Sequence, residues 1–148
     1  MRVVLQRVSR ASVTVDRAQV AEIGLGYLLL VGIGAGDGAD EVERMADKVF
    51  NLRVFADEDH KMNRSLSDVG GEVLLVSQFT LYGDVKKGRR PSWTSAAPPE
   101  IAEERVEAFA KALAARGARV GRGVFGAHME VELANDGPVT LILDADLI

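Results

Sequence analysis

Apolar positions along the chain follow two rhythms, and each predicts a different kind of element. A period of two marks strands. Residues 2–8 read as a strand, and from Ala11 to Asp16 Val13 and Val15 alternate with Ser12 and Thr14. A tight turn at Arg17-Ala18 and a return over Gln19–Ile23 complete a predicted hairpin. After the break Gly24–Gly26, Tyr27 to Ile33 is continuously apolar, which predicts a central strand buried on both faces. Glu72–Val76 is a strand by composition and runs into the strand-like Ser77–Leu81. Arg53–Phe55 reads as a short strand, Ala56–Asp68 as a polar loop and Arg119–Val124 as a strand. A final strand pair is expected from Met129–Leu133 and Thr140–Leu143, with a turn between them. The helical rhythm appears twice. From Asp40, the side chains Val42, Met45, Ala46, Val49 and Leu52 share one face. Pro98-Pro99 opens a second helix with Ala102, Val106, Phe109, Ala110 and Leu113 on its stripe, and Gly117 stands where it should stop.

Many strands joined by short loops, with two helices inserted, predict an α/β fold. The expectation is a single domain over 1–148, a mixed and largely antiparallel sheet or barrel with two main helices. Composition adjusts this picture in a few places. At 47% hydrophobic the chain can bury a sizeable core, but at 5% aromatic that core is mostly Val, Leu, Ile and Ala. No apolar run approaches the ~20 residues of a membrane helix, and Met1–Leu5 lacks the apolar stretch of a signal peptide. Without cysteine, disulfides and thiolate metal sites are excluded. These features suit a cytoplasmic protein with no membrane partner. The glycines of Gly34–Gly38 form a flexible loop. They are neither a P-loop, since no Gly-Lys-Ser/Thr follows, nor a dinucleotide fingerprint, since the spacing is wrong.

Candidate chemistry gathers in two segments. Ser77, Gln78 and Thr80 place three polar side chains in four residues of a buried-looking strand, where packing gives them no reason to be. Asn135-Asp136-Gly137-Pro138-Val139-Thr140 interrupts the last two strands. A Gly-Pro step is first of all a turn signal. It is also where a cis peptide costs least, because proline cuts the trans preference to roughly 0.5–1 kcal/mol. A cis Gly137-Pro138 would point successive carbonyls the same way and make a rigid acceptor pair from backbone alone.

On these two segments the chain resembles the D-aminoacyl-tRNA deacylases, also described as D-tyrosyl-tRNA deacylases. Both family signatures, Ser-Gln-Phe-Thr-Leu and Asn-x-Gly-Pro-Val, stand intact as Ser77–Leu81 and Asn135–Val139, and Gln6–Val13 is similar to the family's opening strands. The resemblance implies a homodimeric, cofactor-free and metal-free hydrolase with active sites at the interface. It would release D-amino acids, and mischarged glycine, from tRNA as a proofreading step of translation. In the family the Gly-Pro bond is cis and enters the partner subunit's site. There its carbonyls hold the amino end of the aminoacyl group and its wall collides with an L side chain. Carried over by position, Gly137 and Pro138 form that filter, Arg7 braces it, and Phe125 packs on the terminal adenine. Ser77, Gln78, Phe79 and Thr80 form the catalytic segment. Main-chain N–H groups near Phe79 and Thr80 would hold the oxyanion while the ribose 2′-hydroxyl helps to activate water. Tyr82-Gly83-Asp84 departs from the alanines and acidic pair that several members carry there.

Read without the family, the residues leave alternatives open. Thr80 is a weak nucleophile without a base and also suits an ordinary strand. Phe125 suits a core, and Arg7 suits a strand with its head in solvent. His60, in the charged stretch Asp57–Lys61, and His128 have no Ser or Cys partner and are expected on the surface; Glu130 and Glu132 are expected on a solvent face, so no metal is assigned. The net charge of −4 means that RNA contact has to use a local patch. Lys86, Lys87, Arg89 and Arg90 offer one, suited to salt-dependent phosphate contact or to a solvated loop. DNA is not an expected partner. A non-catalytic module for RNA ends and a small-ester hydrolase with Thr80 as nucleophile are the competing functions.

Overall fold

The computed structural model describes residues 1–148, and strand β1 (Arg2–Val15) organises it. β1 runs unbroken through the gap expected after residue 8. Its side chains alternate inward from Val3 to Leu5 and again from Ala11 to Val13. Asp16 and Arg17 both take positive φ, 49° and 66°, which matches the twist of a two-residue hairpin turn. The chain therefore reverses one residue earlier than the predicted Arg17-Ala18 and returns as β2 (Ala18–Ile23). One edge of β1 takes β3 (Gly26–Gly32) along its first half and β2 along its second. The other edge takes β8 (Glu130–Asp144) along nearly its whole length.

β3 is central and buried as its continuous apolar run predicts. Tyr27, Leu29 and Val31 face the larger core, while Leu28 faces a smaller one with Val8, Val13, Leu74 and Val76. Beyond β3 the sheet continues in parallel through β6 (Glu72–Ser77) to β7 (Arg119–Arg122). The five pairings, three antiparallel and two parallel, make the sheet mixed. It curls until the side chains of β2 meet those of β7, with Ala21 and Ile23 beside Gly121, and so nearly closes into a barrel. Helices α1 (Ala39–Asn51) and α2 (Pro99–Ala115) cover the larger core. Val42, Met45 and Val49 come from one, and Phe109, Ala110 and Leu113 from the other, as their periodicity requires. Glu41 accepts the Gly38 N–H at 2.8 Å at the start of α1.

Three further expectations fail. Within the predicted loop 56–68, β5 (Met62–Arg64) pairs with β4 (Phe55–Ala56) in a small separate sheet. The strand does not run on through Ser77–Leu81. It ends at Ser77, and Phe79–Tyr82 form a 3-10 turn closed by Leu81 N–H to Gln78 O at 3.2 Å. A polar side chain pattern here marks a change of direction, not a buried strand. Lastly, β8 is one strand and not a pair. Both sides of Asn135–Val139 stay paired to β1, so the Gly-Pro step makes a bulge without chain reversal. Across it β1 advances two residues, from Gln6 to Val8, while β8 advances five, from Asn135 to Thr140.

Candidate active site

The bulge is held by side chains from both strands. Asn135 Nδ2 donates to Arg7 O at 2.9 Å and to Val139 O at 3.1 Å, so one amide pins the loop's two ends. The Arg7 guanidinium, mostly buried, donates from Nε to Asp136 O at 3.2 Å, pairs with its carboxylate at 3.1 Å, and donates from Nη1 to Val54 O. Arg7 thus ties the bulge to the chain after α1 and does not carry its head in solvent. Gly137 has φ +101°, and a Cβ there would collide with Arg7 Nη2. Only glycine combines that dihedral with that approach. The cis expectation is corrected here: every peptide bond in the structure is trans, Gly137-Pro138 included. The physical reason lies in the bulge itself. Extra residues and a positive-φ glycine supply the bend that a cis bond would otherwise provide.

An apolar cleft lies elsewhere, at the opposite end of β3. Its volume is about 360 Å³, within the usual range for a small-ligand site. Its walls are mostly apolar. Val31 and Ile33 come from the end of β3, Ala102 and Val106 from α2, and Phe125 from the loop after β7. Ser77, Gln78 and Phe79 meet it where β6 ends. Gln78 N–H is tied to Val31 O at 2.7 Å, and its side-chain amide donates to Thr80 Oγ1. Thr80 is exposed beside the cleft without lining it, and Phe79 is exposed on its rim. The first N–H groups of so short a helix, those of Phe79 and Thr80, have no partner inside it.

The sequence motifs therefore do not all meet within one chain. Ser77, Gln78, Phe79 and Phe125 share the cleft, with Thr80 adjacent. Arg7, Gly137 and Pro138 do not line it. Arg7 pairs with Tyr27 and Arg2 with Gly32, so the bulge and the cleft end lie about 16 Å apart along β3, at roughly 3.3 Å per residue. Lys86, Lys87, Arg89 and Arg90 occupy an exposed loop whose ends are joined by the Asp84–Ser92 bridge. None of the four forms an ion pair. His60, His128, Glu130 and Glu132 are exposed, as expected. No three His, Asp or Glu side chains gather as metal ligands would, and no helix is long and apolar enough to cross a membrane.

Two features of the site escaped the sequence reading. Trp93 lines the cleft, edge-on to Phe79 with ring centroids 5.3 Å apart. Its signal was a lone tryptophan directly after the cationic run. Arg2 and Tyr82 clamp the 3-10 turn. Arg2 donates to Asp144 at 2.9 Å and to Leu81 O at 3.3 Å, and its guanidinium lies 4.8 Å over the Tyr82 ring. The Tyr82 hydroxyl donates to Asp37 at 3.3 Å. Burial, then the Asp37 charge, push the Tyr82 phenol above its ordinary range. Burial also pushes Asp144 up, but hydrogen bonds from Asp146 N–H and Arg2 outweigh it and hold the carboxyl below the usual range. Nothing in the local sequence links residue 2 with residues 82 and 144.

Fold and site together define a small α/β protein with a mostly apolar cleft that Ser77 and Gln78 also line, and with an exposed cationic loop that ends just before the cleft residue Trp93. The family model described as D-Tyr-tRNA(Tyr) deacylase matches residues 4–144. Curated relatives named D-aminoacyl-tRNA deacylase include those of Thermomicrobium roseum and Roseiflexus castenholzii. The first is 61% identical over 98% of this chain and 94% of the relative, the second 58% identical over 98% and 92%. Among solved structures, the c-Myc DNA Unwinding Element Binding Protein superposes with a TM-score of 0.90 at 44% identity, covering 97% of this chain and 98% of its own. The chain belongs to the D-aminoacyl-tRNA deacylases, a family of hydrolases.

Proposed function

We propose that the protein hydrolyses the ester joining a D-amino acid to the 3′-terminal ribose of tRNA. The observation that carries this reading is the placement of the Ser77–Phe79 segment on the wall of an apolar cleft of nucleoside size. The terminal adenosine enters the cleft against Phe125. The aminoacyl carbonyl then lies at the 3-10 turn, where the Phe79 and Thr80 N–H groups receive the developing oxyanion. Thr80, steadied by Gln78, orients the ester, and the ribose 2′-hydroxyl helps to activate the attacking water. Water oxygen bonds to the carbonyl carbon, the ester C–O bond breaks, and the ribose 3′-oxygen takes up a proton. The products are free D-amino acid and tRNA.

Chirality is read by the Gly137-Pro138 main chain of a second copy. Its distance from the cleft in its own chain favours donation across a two-fold contact. Backbone there, braced by Asn135 and Arg7, excludes an L side chain, whereas glycyl esters pass because they have no side chain to reject. Lys86, Lys87, Arg89 and Arg90 contact tRNA phosphates. The test is a parallel assay on D-, L- and glycyl-tRNA with a chelator present. Turnover of the D and glycyl esters with the L ester spared is expected. Equal hydrolysis of D and L, or loss of activity to the chelator, contradicts the reading. The 44% identical solved structure is named for binding a DNA element. Binding of tRNA without ester cleavage would therefore favour a nucleic-acid module instead.

A further inference from the structure

We propose that Trp93 is a stacking platform for the unpaired base next to the terminal nucleoside, so that the protein grips two nucleotides of the single-stranded 3′ end. This rests on the deacylase reading given above.

Trp93 is the only tryptophan in the chain. Trp93 is 39% exposed although it belongs to a mostly apolar cleft wall. It is also held in place. Phe79 meets it edge-on, and its six-membered ring lies so close to Gly83 that a Cβ there would come within 2.7 Å of Cζ3. The loop after it is tied to the strand end by Ala35 N–H to Ser95 O at 3.2 Å and Ala97 N–H to Ile33 O at 2.9 Å. The packing of Trp93 holds a large aromatic in place while leaving part of it open to solvent. That suits an apolar plate that has to stay available.

Charge names the occupant. The Asp84–Ser92 bridge closes the cationic loop immediately before Trp93, and Lys86, Lys87, Arg89 and Arg90 are exposed on that loop without carboxylate partners. Exposed aromatics next to unpaired cations match a single strand of nucleic acid, whose bases stack while its phosphates are neutralised. The substrate of the deacylase reading ends in such a strand, which makes it the occupant. Phe125 is half-buried in the cleft and takes the terminal base. Trp93 stands on the rim, beside Phe79 and next to the cations, where the preceding base would emerge.

The sole tryptophan reports on itself. Its emission is titrated with a short single-stranded oligoribonucleotide and, separately, with a blunt-ended RNA duplex, while binding is followed independently through the anisotropy of dye-labelled RNA. Saturable quenching by the single strand alone, weakened by salt, is expected. Trp93→Ala should weaken single-strand binding about 5- to 150-fold, and Trp93→Phe should restore most of it. RNA that binds by anisotropy but leaves the emission unchanged overturns the platform and leaves the deacylase reading standing. Equal quenching by the duplex, or unweakened binding by Trp93→Ala, overturns it too. Quenching by the single strand in a protein that cleaves no D-aminoacyl ester would support the platform and overturn the deacylase reading instead.

Discussion

Thr80 separates the two chemistries that its segment permits. Its hydroxyl is exposed, accepts from the Gln78 amide, and has no base beside it. A positioning hydroxyl is worth roughly one hydrogen bond, so Thr80→Ala should slow deacylation about tenfold. Collapse to the uncatalysed rate in a single-turnover assay would instead make Thr80 the nucleophile. Phe125 is tested by a different parameter. Losing a stacked base should raise KM for tRNA about 5- to 150-fold in Phe125→Ala and change kcat little. Steady-state kinetics that put the loss in kcat would return Phe125 to a purely structural role.

Among the elements, the 3-10 turn Phe79–Tyr82 depends on an element far away in sequence. Arg2 at the start of β1 bridges Leu81 O and Asp144 at the end of β8. Asp144 has its carboxyl held below the ordinary range, so it contributes stability above the unfolded value near ~3.9 and loses it as pH falls through the folded value. Asp144→Asn should therefore be less stable than the parent at pH 7 by up to about 1 kcal/mol, with the gap closing in acid. Urea unfolding at pH 7 and at pH 3 measures this, and a gap that widens in acid would contradict it. Long-range ties of this kind set the limit of what the sequence discloses. Tyr27–Ile33, α1 and α2 were legible because burial on one or both faces leaves a periodic trace. The Ser77–Leu81 and Asn135–Val139 motifs were legible as motifs, but their shapes were not. Polar residues at a strand end look like a polar strand, and a Gly-Pro bulge looks like a turn until its pairing to β1 is known. The Arg2–Tyr82 clamp left no local trace at all.

For the whole molecule, a net charge of −4 has to be reconciled with a polyanionic substrate. In the proposed function the unpaired cations of the 86–90 loop do this locally. Each phosphate contact contributes to the dependence of binding on salt, so Lys87→Gln with Arg89→Gln should flatten the log–log slope by up to about 2. An unchanged slope would move the phosphate contacts to another surface. The larger claim is that the cleft of one copy is completed by the bulge of another. Within one chain they sit at opposite ends of β3, and the bulge alone carries the close Gly137–Arg7 approach. The most direct measurement is the rate of D- and L-aminoacyl-tRNA hydrolysis by Gly137→Ala beside the parent, with folding of both checked by thermal unfolding. The parent should cleave the D ester and spare the L ester, and the added methyl should cut D-ester turnover at least tenfold in a variant that still folds. A folded Gly137→Ala protein with the parent's D-ester rate and the parent's D-to-L ratio would contradict that claim.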